Sequence, residues 1–152
     1  LLPTEYKLIL VGKWEEEFRD IVEKIIKDKN LTDRVKYLGA KSYFEVDKYY
    51  RSCDIFLLPS SYEGLPKVIV ETLGCGSKAI ASGFTMDKEI PNMYFLDRID
   101  SKSLSELIKK VDAIPNKYEG TRKVLDEFYS WDAKARDLED IYRRAVGITQ
   151  SQ

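Results

Sequence analysis

The stretch from Asp54 to Ala81, DIFLLPSSYEGLPKVIVETLGCGSKAIA, restricts the possible folds of this chain more than any other. Asp54 to Leu58 is an apolar run too short for a helix, and reads as a buried strand. A polar loop follows from Pro59 to Gly64. Pro66 has its φ preset and lacks an N–H that would have no partner in a first helical turn, so it marks a helix start; Gly74 marks the end. Lys78 to Ala81 is a second short strand. Strand, helix and strand within so few residues call for a parallel pair joined by a crossover. The first turn of a helix offers unpaired N–H donors and a partial positive charge, so an anion can dock there. Glu63 stands just before that start, and Glu71 projects back over the turn preceding it, towards Lys67 and the loop. Two carboxylates and a helix N-terminus are expected at one mouth. On spacing alone, Glu71 equally suits an ion pair with Lys67 four residues earlier, and Glu63 suits an exposed loop acid with no task.

The rest of the chain repeats the alternation. Tyr6 to Val11 is an apolar run closed by Gly12, and Trp14, Phe18, Ile21, Val22, Ile25 and Ile26 then recur at helical spacing, predicting an amphipathic helix that covers a sheet. Val35 to Leu38 is the next strand, closed by Gly39. Ser42 and Glu45 form a capping box, before a helix whose stripe is Val46, Tyr49, Tyr50 and Cys53. After the central stretch, Tyr94 to Leu96 reads as a last strand, and Ser103 with Glu106 as the cap of another helix. Residues 118–129 and 131–146 read as two terminal helices, the second with Trp131, Ala135, Leu138, Ile141, Tyr142 and Ala145 on one face. The fold class is therefore α/β: a Rossmann-like three-layer domain with a mostly parallel sheet and two C-terminal helices. Ligands of such sheets bind beyond the strand C-termini, so Gly12-Lys13, Gly39-Ala40-Lys41 and Pro59 to Gly64 are expected on one edge.

Several chemistries are excluded. The chain has no histidine, which removes Ser-His-Asp and Cys-His catalysis and His-ligated zinc. Cys53 and Cys75 match no metal or redox spacing and read as buried reduced thiols. Lys and Arg total 25 against 26 Asp and Glu, so no charge excess argues for nucleic acid as a partner. No apolar run approaches a membrane span, and the cytoplasm is the default compartment. Gly12 lacks the further glycines of a dinucleotide fingerprint, with Trp14 where the second would stand. Gly74 and Gly76 come after the helix and read as its C-cap and turn. Lys13 and Lys41 are ordinary surface lysines unless a phosphate lies near.

Residues 59–76, PSSYEGLPKVIVETLGCG, resemble the signature of retaining GT-B glycosyltransferases of the large "group 1" type, whose core is Glu, seven residues, Glu: here Glu63 and Glu71. YKLILVGK, DRVKYLGAKS, the unit from Ser42 to Ser60 and FYSWDAKARDLEDIY resemble the family's flanking elements, so the resemblance covers nearly the whole chain. It implies that residues 1–152 are most of the C-terminal, nucleotide-sugar-binding domain of a two-domain enzyme, lacking its first strand and helix and its N-terminal acceptor domain. The first residue is Leu, which suits an excised piece. The implied activity is transfer of a hexose from a UDP- or GDP-sugar to a saccharide or lipid-linked acceptor with retention, without metal or other cofactor, at the cytoplasmic face of the membrane or in the cytoplasm. The runner-up is a non-catalytic nucleotide-binding or regulatory module of the same fold. By resemblance, Glu63 holds the transferred sugar as the catalytic carboxylate, and Glu71 accepts from ribose hydroxyls. Gly64, Leu65 and Lys67 present backbone towards sugar or phosphate; Pro66, in the same turn, has no N–H to give. Leu38, Gly39, Ala40 and Lys41 read the base, with Gly12 and Lys13 on the same donor side.

Departures from the pattern matter too. The diphosphate-gripping Arg and Lys of the family belong upstream of YKLILVG, so the chain alone is expected to be inactive. After Ser82 the family's paired glycines and Glu are replaced by GFTMDKEIP, with Asp87 and Glu89 as weak substitutes. Ser77-Lys78 stands where a small residue and proline are usual. The last helix commonly crosses to the other domain, which predicts an exposed Tyr142 face.

Overall fold

The computed structural model describes residues 1–147. They form two compact units, residues 1–49 and the chain from Tyr50 onwards. In the first, β1 (Leu8–Leu10) pairs in parallel with β2 (Val35–Tyr37), joined by α1 (Glu16–Asp28). The expected stripe of α1 is only partly used: Phe18, Ile21 and Ile25 are exposed, while Val22 and Ile26 are half-buried. The reason is geometric. A helix of 13 residues is about 20 Å long, whereas two three-residue strands offer a ladder about 10 Å long and two strands wide.

The helix α2 (Tyr43–Ser52) begins in this unit with the capping box the sequence predicts: Glu45 Oε2 accepts from Ser42 N–H at 3.3 Å and from Ser42 Oγ at 2.8 Å.

The second unit holds β3 (Ile55–Pro59), α3 (Lys67–Gly74), β4 (Lys78–Ser82), β5 (Met93–Phe95), α4 (Ser101–Asp112), α5 (Tyr118–Phe128) and α6 (Trp131–Ala145). Its three strands are parallel in the order β3-β4-β5. The five strands thus form two hydrogen-bonded ladders, where the sequence predicts one sheet. β4 is central to its ladder and buried at every residue. Ile69 and Leu73 of α3 pack with Ala79, Ala81, Ile90 and Leu125, flanked by Phe56 and Leu58. Each large side chain so buried contributes about 1.5–3 kcal/mol.

The end of α3 is closed at the second of the two glycines: Gly74 is the last helical residue, Cys75 rather than Gly74 is the C-cap, and Gly76 makes the turn as predicted. Gly76 sits at φ +97°, its N–H bonds to Leu73 O, and Ser77 N–H reaches back to Thr72 O, so the last carbonyls are satisfied. The cap of α4 differs from expectation: Asp100, not Ser103, is the N-cap, and its carboxylate accepts from Ser103 N–H and Oγ, both at 2.8 Å. An acid three residues before a serine satisfies the same orphan donors, so the helix starts earlier. Cys53 and Cys75 form no disulfide among the described residues and are half-buried, and burial pushes the Cys53 pKa up. On α6, only Ala133 is buried; Trp131, Leu138, Ile141 and Tyr142 are exposed, as predicted for the Tyr142 face.

Candidate functional site

β3 ends at Pro59, paired with Ser82 at the end of β4. The chain leaves this edge through Ser60 and Ser61 and reaches Glu63, whose N–H donates to Gly83 O at 2.7 Å. Ser60 Oγ donates to Glu63 Oε1 at 2.8 Å. Among the described residues, Glu63 Oε2 has no protein donor. Gly64 and Leu65 continue the turn with exposed positions, and Tyr62 is 86% exposed.

Pro66, expected as the first helical residue, is instead the N-cap of α3, and the helix opens one residue later at Lys67. The Pro66 φ of −72° suits the ring, and its carbonyl accepts from Ile69 N–H at 3.0 Å. The N–H groups of Lys67 and Val68 therefore open the helix with no intrahelical acceptor. Glu71 lies one turn further on and is half-buried. Its carboxylate does not pair with Lys67: Oε2 accepts from Tyr50 Oη at 3.3 Å. Tyr50 is buried, its ring packed edge-on against Phe56 with centroids 5.7 Å apart. Its pKa is pushed up to about 12, first by burial, then by the Glu71 charge and the hydrogen bond to it, so the phenol stays a donor at neutral pH. Each carboxylate of the pair thus has one oxygen held by a hydroxyl from behind. An ionised carboxylate has acceptor capacity on both oxygens, so each keeps one for a ligand hydroxyl.

In the first unit, the loops after β1 and β2 are brought together. Gly12 N–H donates to Gly39 O at 3.1 Å, Leu38 N–H to Leu10 O at 2.9 Å, and Tyr37 Oη to Gly12 O at 2.7 Å. Trp14 packs on the Tyr37 ring at 4.4 Å. Lys13 and Ala40 are exposed, and Leu38 and Lys41 half-buried. These loops form one cluster within their unit; the Glu63 loop and α3 form another in theirs.

Ser60, Gly83 and Tyr50 hydrogen-bond to the two acids, and sequence reasoning missed them. Ser60 lies three residues before a loop acid, a spacing that could have flagged it. The other two are 20 or more residues from the acids they touch, and Tyr50 reads only as a core position in a helical stripe. The unusual 83–91 loop folds on apolar anchors: Phe84 packs on Phe95 at 5.4 Å and Ile90 is 3% exposed, while Asp87 and Glu89 face solvent. Surface hollows of about 380 and 470 Å³ lie along α6 and beside α3 and α5, and neither is lined by Glu63 or Glu71. Among the described residues, no three His, Cys, Asp or Glu side chains group so as to hold a metal ion, and no helix is long and apolar enough to cross a membrane.

The family model of the group 1 glycosyl transferases matches residues 2–123. A D-inositol 3-phosphate glycosyltransferase of Salinispora tropica is 27% identical over 124 residues, covering 76% of this chain and 26% of that protein. Among solved structures, Anabaena Alr3699/HepE in complex with UDP aligns with a TM-score of 0.77 at 19% identity, over 93% of this chain and 42% of the other. The C-terminal domain of a group 1 glycosyl transferase (LpcC) of Francisella tularensis aligns with a TM-score of 0.66 at 14% identity, over 86% of this chain and 89% of that one. The chain thus spans about a quarter of its curated relative's length. At these identities the structural likenesses carry the fold, a Rossmann-like α/β architecture with mostly parallel strands. With the family model matching four-fifths of its residues and the fold shared, the chain belongs to the group 1 glycosyl transferases of GT-B architecture.

Proposed function

We propose that this chain is the nucleotide-sugar-binding, C-terminal part of an enzyme that transfers a hexose from a UDP- or GDP-sugar to a saccharide or lipid-linked acceptor with retention. The observation that carries the reading is the pair of half-buried carboxylates, each with one oxygen held by a hydroxyl, flanking the open first turn of α3. Glu71 receives the ribose hydroxyls. Glu63 receives hydroxyls of the transferred sugar, the catalytic contact. N–H groups of Leu65 and Lys67 take sugar or phosphate oxygens, and the backbone of Leu38 to Lys41, with Gly12 and Lys13, the base side. Donor dipoles and cationic side chains would stabilise the leaving diphosphate without a metal. The UDP bound to HepE and the sugar transfer named for the Salinispora relative support this assignment. The acceptor site belongs to an N-terminal domain, through which the full protein would also meet a membrane surface.

The strand topology supports an incomplete sheet. A doubly wound sheet of order 3-2-1-4-5-6 that lacks strand 1 leaves one ladder of two strands and one of three, which are the ladders observed. The likeness to a separately solved C-terminal domain and the exposed Leu138, Ile141 and Tyr142 of α6 point the same way. The chain alone is then inactive, and measurable sugar transfer by residues 1–152 would sink that part of the reading. The main test is calorimetry and transfer assays on the full-length protein with UDP- and GDP-sugars. Glu71→Gln should weaken nucleoside diphosphate binding, and Glu63→Ala should abolish transfer while binding persists. Binding without transfer by the unsubstituted protein would favour a non-catalytic nucleotide-binding module instead.

A further inference from the structure

Gly83 follows the last residue of β4 and has φ +86°. A Cβ there would stand 2.6 Å from Ser60 O, 2.8 Å from Tyr62 N and 3.0 Å from Ser61 C. All three are backbone atoms, so none can rotate away, and only glycine lets the 60–63 loop lie this close. The approach is used. Glu63 N–H bonds to Gly83 O at 2.7 Å, Ser82 Oγ donates to Ser60 O at 2.8 Å, and Ser60 Oγ donates to Glu63 Oε1 at 2.8 Å. The loop is thus tied to the exit of β4 at both ends, and the side chain it presents is tied to the loop.

We propose that Ser60 and Gly83 are positioning residues that fix the Glu63 carboxylate before a donor sugar arrives, leaving Oε2 to accept from a sugar hydroxyl. The inference rests on the reading of Glu63 as the residue that holds the transferred sugar. A preset carboxylate does not have to be ordered when substrate binds, so the gain falls on the geometry of transfer. Glu71, held separately by Tyr50, keeps its own task, and nucleoside diphosphate affinity should be insensitive to the Glu63 lock.

The test compares Ser60→Ala, Gly83→Ala, Glu63→Gln and the double variant Ser60→Ala/Glu63→Gln in the full-length protein, by donor-dependent kinetics and nucleoside diphosphate calorimetry. Ser60→Ala should lower kcat about 10-fold and Gly83→Ala about 100-fold, the scale of a misplaced catalytic group, with the UDP or GDP dissociation constant within twofold of the parent. The double variant should be no slower than Glu63→Gln alone, because a residue that acts only through Glu63 has nothing left to position. Gly83→Ala can also unfold the loop, which is why Ser60→Ala decides. A Ser60→Ala kcat within twofold of the parent, beside a Glu63→Gln that is strongly slowed, overturns the positioning role and leaves the reading of Glu63 standing. Undiminished transfer by Glu63→Gln overturns both.

Discussion

Lys78 invites a quantitative test, because it stands where the family pattern usually has proline and is 8% exposed. Its N–H bonds to Asp54 O at 3.3 Å, which proline could not do. Its ammonium crosses to the C-terminal end of α4 and donates to Val111 O at 2.9 Å, Asp112 O at 3.3 Å and Ile114 O at 2.6 Å. A cation there also meets the negative end of the helix dipole. Lys78→Met keeps the apolar stem and removes only the charged tip. Hydrogen bonds to a charged group are worth about 1.5–3 kcal/mol each, so the two shorter ones give roughly 3–6 kcal/mol. Taking an ammonium out of water costs several kcal/mol, which the substitution recovers. What decides the sign is that three charge-assisted bonds are lost together at the end of α4; Val111 O keeps a second donor, the Ile114 N–H at 3.1 Å, so the loss falls mainly on Ile114 O, whose bond to the ammonium is the shortest at 2.6 Å. The expected net is a destabilisation of about 2 kcal/mol. With a urea m-value near 2 kcal/mol/M, the unfolding midpoint should fall by about 1 M. An unmoved or higher midpoint with unchanged m would show that desolvation outweighs the three carbonyls, and the reasoning would fail.

Thr72 gives the opposite sign. It is fully buried and its Oγ1 has no hydrogen-bond partner, so Thr72→Val should stabilise by about 1–2 kcal/mol, read as a higher urea midpoint; a loss of stability would mean the hydroxyl has a partner, such as an ordered water. Tyr50 predicts an alkaline response: its folded pKa, about 12, lies above the ordinary value of 10.0, so its contribution is intact below pH 10 and is lost as pH rises through about 12, where the unfolded phenol is already ionised. Tyrosinate absorbance should show a late-ionising phenol that Tyr50→Phe removes, and ionisation of every tyrosine by pH 11 in the folded protein would contradict this. The same substitution in the full-length protein should raise the nucleoside diphosphate dissociation constant a few-fold through Glu71, with little change in melting temperature, since the ring packing on Phe56 remains. An unchanged dissociation constant would show that Glu71 needs no such support.

Much of the fold is legible because local chemistry decides it. Ser42 with Glu45 and Gly76 past the end of α3 each satisfy orphan backbone groups within a few residues and behave as read, while Pro66 marks the α3 start as its N-cap, one position outside the helix it is expected to open. Helix α4 shows how such signals compete: both Ser103-Glu106 and Asp100-Ser103 have cap spacing, and the acid wins. Periodicity identified α1 but could not say how much of its stripe finds a partner, since that depends on the width of the sheet beneath. In the candidate site, Glu63 and Glu71 stand out through the Glu, seven residues, Glu pattern of the family resemblance, since spacing alone equally suits an ion pair and an exposed loop acid. Gly83 and Tyr50 do not stand out, because their contacts with the acids are made across 20 or 21 residues by strand pairing and helix docking, which no local pattern encodes; Ser60, three residues before Glu63, is the local contact that spacing could have flagged.

Strand pairing also explains why a core built of small residues matters to Glu63. Ala79 and Ala81 share the face of β4 that packs with Ile69 and Leu73 of α3, together with Phe56 and Leu58 of β3, while Ile80 points to the other face. Slipping β4 by one residue would exchange these faces and drive Ile80 and a polar neighbour against α3, where two alanines now let the helix approach. The packing of α3 therefore sets the β3–β4 register, and that register places Pro59 opposite Ser82, so that the two chains leave the sheet side by side. Only from that start can Gly83 meet the backbone of Ser60 and Ser61 and accept from Glu63. The apolar face that docks the helix bearing Glu71 thus also aligns the loop bearing Glu63, and both acids owe their placement to the same few core residues.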